Sequence, residues 1–238
     1  MTLACQKSDI AVDIWIWDLA DYQADADRLA TLLTSDEMAR RDRQFSREKG
    51  QFWAISRGKV REQLAVITGV PAPALAFEED EFGKLRMAGR QDPDLDFSIS
   101  HDRASTVLAV CKGAEVGVDI ESVKTLNREE MEWPLSAVER QHLSEVAPED
   151  TPQAFFRYWT LKEAFIKGLG LGVSFPLDAF DMTPFGEDPG LLRVEGDPDA
   201  VKNWVFEAGE IRPGLRFAVA VKSDGRRPEF AYHAKTGS

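Results

Sequence analysis

Cysteine is scarce in this sequence, with two among 238 residues. Cys5 and Cys111 lie neither in a CxxC pair nor beside histidines, so we expect no disulfide scaffold and no cysteine-ligated zinc site. Positive charge is also in deficit, because 29 Lys and Arg face 41 Asp and Glu, which gives a net charge of −12. Such a chain repels a phosphate backbone, so general nucleic-acid binding is disfavoured.

Long hydrophobic runs are missing as well. The first twenty residues lack a basic segment followed by an apolar core, and apolar stretches such as 217–221 are too short to cross a bilayer. We therefore expect an untargeted, cytoplasmic protein with no membrane span. A composition of 43% hydrophobic and 29% charged residues over 238 positions is typical of one large globular domain or two compact ones.

Residue periodicity predicts an α+β fold in which the order of elements occurs twice. An alternating strand at 11–17 leads into helices near 29–33, 35–45 and 49–68, followed by strands near 75–77, 96–99 and 106–111. The second series has a strand at 115–120, helices near 136–146 and 151–169, and short strands near 179–182, 191–194, 204–207, 216–221 and 229–232. This order predicts two similar halves, 1–112 and 113–238.

Two carboxylates share one face of the strand at 115–120. In the segment 116–121 (VGVDIE) the period of two puts Gly117, Asp119 and Glu121 on the same side. The two carboxylates lie about 6.5–7 Å apart along the strand, a span that suits ligands of one hard cation such as Mg²⁺. We expect Gly117 to leave the surface beside them open. The alternative interpretation is a solvated acidic strand end.

A second pair of charged residues lies on the helix near 151–169. Helical spacing gathers Phe155, Trp159 and Ile166 into an apolar stripe, and it brings Glu163 and Lys167 together at the edge of that stripe. At i,i+4 these two residues can form a surface ion pair that contributes a few tenths of a kcal/mol. They can equally be a metal ligand and a leaving-group acid that a rigid helix holds in place.

Two further motifs have simpler interpretations. The glycines of 168–172 (GLGLG) close a helix rather than open one, so the dinucleotide-binding mechanism is not expected. Ser100 and His101 follow an apolar strand, and taken alone such a pair is more typical of a turn than of a catalytic dyad.

Three segments, taken together, resemble the signatures of the surfactin-type 4′-phosphopantetheinyl transferases. They are 97–101 (FSISH), 117–121 (GVDIE) and 159–167 (WTLKEAFIK), in the family's order and with similar separations. The resemblance extends more weakly to the basic helix around Arg41, to the Gly83-Lys84 turn and to the later strands. It implies a pseudo-twofold α+β fold, a monomer, and an active site in the cleft between the two halves.

The resemblance also implies an activity, with coenzyme A as co-substrate. The phosphopantetheine arm of coenzyme A passes to a serine of an apo acyl or peptidyl carrier protein, and adenosine 3′,5′-bisphosphate is released. By resemblance, Asp119, Glu121 and Glu163 hold Mg²⁺, Glu163 is the candidate base, and Lys167 faces the leaving phosphate. The residues assigned to coenzyme A phosphates are Arg41, Arg57, Lys84, Ser100, His101, Lys162 and Lys167.

Two departures from the family pattern affect the nucleotide end of the site. Leu85 stands where many relatives have proline after Gly-Lys, and Met38 stands where some have a basic residue. Two other functions remain as alternatives. One is a Mg²⁺-dependent phosphodiesterase that acts on coenzyme A-like nucleotides, and the other is a non-catalytic module that binds carrier protein. The intact acidic and basic residues argue against the non-catalytic module.

Overall fold

Two β-sheets packed face to face form the centre of the molecule. The computed structural model describes residues 10–89 and 92–234, so the prediction for Cys5 lies outside the described residues. Side chains from both sheets form a shared core in which Val12, Ile14, Val118 and Val219 are fully buried. A helix covers the outer face of each sheet, which confirms the predicted α+β class.

Strands and helices alternate irregularly along the chain. The strands are β1 (Ile10–Asp18), β2 (Phe77–Glu79), β3 (Leu85–Met87), β4 (Leu95–Asp102), β5 (Ser105–Lys112), β6 (Val116–Ser122), β7 (Phe180–Met182), β8 (Leu191–Val194), β9 (Trp204–Arg212), β10 (Leu215–Lys222) and β11 (Pro228–Ala234). The helices are α1 (Ala26–Ala30), α2 (Ser35–Asp42), α3 (Arg47–Thr68), α4 (Arg128–Glu132), α5 (Ala137–Glu145), α6 (Thr151–Leu169) and α7 (Ala200–Asn203).

The first sheet has the strand order β11-β1-β5-β4. The edge strand β11 follows all the other described strands in the sequence. It pairs in parallel with β1, with Ile10 opposite Pro228. Helix α3 covers the outer face with Ile55, Val60 and Leu64, which are buried against this sheet. Ser46 caps the start of α3, and Gly69 ends it at a φ of 73°.

The second sheet has the strand order β6-β10-β9, and all of its pairs are antiparallel. Helix α6 lies on its outer face and is buried on several sides, because β7, β8 and α5 cover the helix from outside. Gly170 ends α6 in the left-handed region at a φ of 69°. Gly170 therefore stops the helix, as predicted for the segment 168–172, whereas Gly168 lies within the helix.

Strand β4 lies beside β6, and polar side chains connect the two strands, which belong to different sheets. Alternate residues of β4 point toward β6, as the period of two requires. The pairs share a nearly constant offset along the sequence, so the strands run in parallel. They are Asp96 with the Val116 amide, Ser98 with the Val118 amide, Ser100 with Asp119, and Asp102 with Ser122. We call these contacts the polar seam.

Gly117 is the point at which α6 crosses β6. A Cβ at Gly117 would lie 2.0 Å from the Ala164 carbonyl oxygen and 2.3 Å from the Gly168 amide nitrogen. The expectation that Gly117 leaves an open surface is therefore wrong, because the helix backbone occupies that space. The missing side chain instead allows α6 to lie directly on the strand, beside Asp119.

Two other expectations need correction. The strand predicted near 75–77 lies at Phe77–Glu79, where it pairs with β3, and a 3-10 turn at Ala72–Ala74 precedes it. Neither β3 nor the single-turn helix α4 is predicted from the periodicity, because elements of three to five residues are too short to show a repeat. Within the described residues, no helix combines the length and apolarity that a membrane span requires.

We predict that Gly117→Ala strongly destabilises the protein. The new methyl group would overlap backbone atoms of α6 rather than a flexible side chain, so we expect a loss of about 3 kcal/mol or more. Gly190→Ala is the matched control, since its Cβ would meet only the Thr183 methyl at 3.6 Å. Chemical denaturation of both variants measures the effect, and equal stability of the two would contradict the close crossing at Gly117.

Candidate active site

Two cavities, each of about 740 Å³, border Leu85 and Ile99. The first, called the apolar cavity, is lined by Phe82, Trp133, Leu135, Trp159, Phe175 and the charged Glu163 and Lys167. The second, called the basic pocket, is lined by Arg40, Lys49, Arg57, His101 and Arg103, with Glu48 beside them. An acidic protein thus gathers cationic side chains at one cavity, next to another that is mainly apolar.

Lys167 connects α6 to both central strands at the edge of the apolar cavity. Its ammonium donates hydrogen bonds to Asp119 Oδ1 at 2.7 Å and to Ser100 Oγ at 3.0 Å. The Ser100 hydroxyl donates to the same Asp119 oxygen at 2.9 Å. Lys167 thus forms its ion pair with Asp119 of β6. The alternative interpretation, an exposed i,i+4 pair with Glu163, is not the pair that the structure contains.

Glu121 and Glu163 lie near Asp119 and share its electrostatic environment. Burial raises the pKa of Glu163, and the charge of Asp119 raises it further, whereas Lys167 opposes the shift. Burial and Asp119 likewise raise the pKa of Glu121, and a 3.1 Å hydrogen bond from the Trp159 indole opposes that shift. The crowded carboxylates therefore favour a compensating positive charge.

The oxygen atoms of this group suit a hard divalent cation. Asp119 Oδ2 is buried and has no hydrogen-bond partner in the described part of the chain, so it is free to act as a ligand. Within residues 10–89 and 92–234, no three acidic, histidine or cysteine side chains already converge as a metal cage. Mg²⁺ does not require one, because it commonly uses one or two carboxylates together with waters and substrate phosphates. One or two carboxylates of the group formed by Asp119, Glu121 and Glu163 would suit such an ion.

The basic pocket can hold an anion through Arg57 and His101. Arg57 Nη1 is buried without a hydrogen-bond partner among the described residues, while the guanidinium stacks over the Trp53 ring. Partial burial lowers the pKa of His101, and the nearby cations Lys167 and Arg57 lower it further. An anionic ligand would satisfy the free Arg57 donor and would stabilise a protonated His101.

Comparison with known proteins identifies the family. The model of the 4'-phosphopantetheinyl transferase superfamily matches residues 115–221. The 4'-phosphopantetheinyl transferase psf-1 of Bacillus pumilus is 30% identical, over 74% of this chain and 71% of its own length. HetI of Nostoc sp., also a 4'-phosphopantetheinyl transferase, is 29% identical over 77% of this chain and 78% of its own. The chain belongs to the 4'-phosphopantetheinyl transferase superfamily.

One solved structure is also similar over part of the chain. The holo-[acyl-carrier-protein] synthase of Thermotoga maritima is 20% identical, with a TM-score of 0.37, over 46% of this chain and 63% of its own.

Membership of the family makes this chain a phosphopantetheinyl transferase, an enzyme that transfers phosphopantetheine to carrier proteins. It thereby decides against the phosphodiesterase and the non-catalytic module.

In the structure of this transferase, Ser100 and Arg41 bind side chains of the chain itself. Ser100 is 5% exposed and belongs to the polar seam, so its hydroxyl is engaged with Asp119 and Lys167. Arg41 pairs with the neighbouring Asp42 at 2.6 Å, and Arg40 lines the basic pocket in its place. Helix α2 buries no residue, so no apolar stripe indicates which of the two arginines points inward.

Lys84 and Lys162, two further residues that the resemblance assigns to coenzyme A phosphates, bind carboxylates of the chain itself. The Lys84 ammonium binds Asp96 at 2.7 Å and the Val116 carbonyl at 3.0 Å, so it joins the hairpin of β2 and β3 to the polar seam. Lys162 is fully buried and binds Glu139 at 2.7 Å and the Phe180 carbonyl at 3.0 Å. Each ammonium is thus paired with a carboxylate within the chain.

The sequence carries a signal for the burial of Lys162 and for the cap of α5, but not for every residue that lines the two cavities. Lys162 lies three or four positions from Tyr158, Trp159, Phe165 and Ile166, which puts it in the middle of the apolar stripe of α6. The spacing of Ser136 and Glu139 predicts a capping box, and this cap is confirmed. Lys49, Arg103 and Trp133 gave no comparable signal, because their roles depend on how distant segments meet.

We predict that Lys162→Ala destabilises the transferase by about 3–5 kcal/mol, because it leaves the Glu139 carboxylate charged and buried without its partner. Lys124→Ala, at an exposed position, is the control and should change stability by less than about 0.5 kcal/mol. Urea denaturation monitored by tryptophan fluorescence measures both. If Lys162→Ala is as stable as Lys124→Ala, the buried ion pair is not formed as described.

Proposed function

We propose that this transferase uses Mg²⁺ and coenzyme A to modify a serine of an apo acyl or peptidyl carrier protein, with adenosine 3′,5′-bisphosphate as the released product. The observation that supports this most directly is the group formed by Asp119, Ser100 and Lys167, with the free oxygen Oδ2 of Asp119 beside Glu121 and Glu163. In this proposal the three carboxylates hold the metal ion.

The reaction exchanges one phosphorus–oxygen bond for another. The serine oxygen forms a bond to the phosphorus that carries the pantetheine arm, and the bond from that phosphorus to the bridging oxygen breaks. Glu163 takes the serine proton, a role that its place beside Lys167 at the lining of the apolar cavity supports. Lys167 stabilises the negative charge that develops on the departing phosphate. Mg²⁺, when bound, would offset charge on the pyrophosphate oxygens.

The basic pocket would hold the 3′-phosphate end of coenzyme A. Arg57 and His101 are the members predicted from the sequence, and Arg40, Lys49 and Arg103 surround the same space. The apolar cavity then remains for the pantetheine arm, because it borders the pocket at Ile99 and reaches Glu163 and Lys167. This arrangement assigns the two cavities to the two chemically different ends of one molecule.

We further propose that the halves 1–112 and 113–238 each supply one side of the site, and that the enzyme acts as a cytoplasmic monomer. The contribution of Ser100 and His101 from the first half, and of Asp119 and Lys167 from the second, supports a site completed within one chain. The net charge of −12 supports the absence of nucleic-acid binding.

The first test is incubation with coenzyme A, Mg²⁺ and several apo carrier proteins, followed by intact-mass measurement of each carrier. We expect the mass of one phosphopantetheine to be added, and chelation by EDTA to stop the reaction. Glu163→Gln should reduce the rate by about 10²- to 10⁴-fold without unfolding the chain. Glu149→Gln, at an exposed position, is the control. Full activity of Glu163→Gln, or in excess EDTA, would contradict the proposed metal and base.

A second test separates contacts to the 3′-phosphate from contacts to the rest of coenzyme A. Arg57→Ala and His101→Ala should each weaken coenzyme A binding by about 10- to 100-fold, because each removes a charged hydrogen-bond donor. Dephospho-coenzyme A, which lacks the 3′-phosphate, should bind both variants almost as it binds the original chain. Calorimetry measures the affinities, and the exposed Lys202→Ala is the control for lost charge. Equal losses with both ligands would place the 3′-phosphate elsewhere.

A further inference from the structure

Ser100 holds a place in the site that its predicted phosphate contact does not explain. Its side chain is 5% exposed, and its hydroxyl lies between the two groups with opposite charge, Asp119 and Lys167. A hydroxyl can donate one hydrogen bond and accept others at the same time. Ser100 uses both capacities, because it donates to Asp119 Oδ1 and accepts from Lys167 Nζ.

The neighbouring residue His101 faces a different cavity. Successive side chains of a strand point to opposite faces, and His101 lines the basic pocket, whereas Ser100 points toward β6 and α6. Ser100 therefore reaches the proposed reacting groups through its hydrogen bonds to Asp119 and Lys167. It also belongs to β4 in the first half of the chain, while Asp119 and Lys167 belong to the second half.

We infer that Ser100 is a positioning residue that fixes the Lys167 ammonium and the Asp119 carboxylate in their working arrangement. The bonds to Ser100 and Lys167 both fall on Asp119 Oδ1, and Oδ2 is left without a partner among the described residues. Ser100 thereby favours one orientation of the carboxylate, in which one oxygen faces the lysine and the other is free. The inference rests on the proposed roles of Asp119 and Lys167 in the transfer reaction.

The long side chain of Lys167 makes this constraint necessary. Lysine has several rotatable bonds and a large side-chain entropy, and the Lys167 side chain is 30% exposed. Asp119 alone gives the ammonium one point of attachment, about which the lysine stem can still move. Ser100 adds a second point on a different strand, so the ammonium is held in a defined position before substrate binds.

The test uses Ser100→Ala, which removes the hydroxyl, and Ser100→Cys, which keeps the side-chain volume but forms weak hydrogen bonds. In both variants kcat should fall by about 10- to 100-fold, because a misplaced catalytic group is costly. The KM for coenzyme A should stay within about threefold of the original value. If Ser100→Cys restores the original kcat, Ser100 acts by filling space, and the inference is wrong.

Ser98→Ala is the matched control on the same face of β4. Ser98 is also 5% exposed and belongs to the polar seam, but its hydroxyl accepts from the Val118 amide at 3.1 Å rather than contacting a charged side chain. We expect thermal melting to show lower stability for Ser98→Ala, with a kcat much closer to the original value. A loss of kcat in Ser98→Ala as large as in Ser100→Ala would show a general effect of the seam and overturn the inference.

A double-mutant cycle separates this inference from the proposed function. If Ser100 acts through Lys167, the double variant Ser100→Ala/Lys167→Ala should be no slower than Lys167→Ala alone. Purely additive losses would overturn the positioning role while leaving the role of Lys167 intact. If Lys167→Ala instead keeps the rate of the original chain, the proposed role of Lys167 is wrong. Calorimetric coenzyme A affinities without metal, expected to be unchanged in Ser100→Ala, confirm that the binding site is preserved.

Discussion

The contact of α6 with β6 at Gly117 is the constraint on which the site depends. A helix normally lies about 10 Å from a sheet, because side chains separate the two, but in this protein the backbones almost touch. This approach brings Glu163 and Lys167 into the same small volume as Asp119. Gly168 continues the close approach, since its own missing side chain leaves room for the Trp204 ring. The acidic strand and the reactive helix thus act as one unit.

A second layer of buried polar contacts fixes the outer side of that unit. Glu139 caps α5, accepts the Met182 amide and pairs with Lys162, so one carboxylate connects α5, β7 and α6. Lys84 and Asp96 make a similar connection between the β2–β3 hairpin and β6. The resemblance assigns Lys84 and Lys162 to phosphate contacts. In the structure their ion pairs connect the elements that carry the reactive groups. Within the described part of the site, Asp119 Oδ2 and Arg57 Nη1 remain free of such partners.

Sequence patterns predicted the long elements and the acidic strand because their signals are local. Alternation marks β1, β5 and β6, and glycine marks the end of α6, so the α+β class followed from periodicity. The partners of a lysine are not local. Lys84, Lys162 and Lys167 are all cations near a motif, yet their ammonium groups bind Asp96, Glu139 and Asp119 from distant segments. Only the packing of those segments decides which cation is buried and which faces the cleft.

The position of β11 has a consequence for how the chain is made. Synthesis proceeds from the amino end, so β1 is made before the other described strands, whereas β11, which pairs with its open edge, is made after them. Until β11 has been made, that edge offers unpaired amides and carbonyls to any extended segment nearby. The nascent chain is thus open to mispairing along β1 for the whole time in which the strands between β1 and β11 are being made.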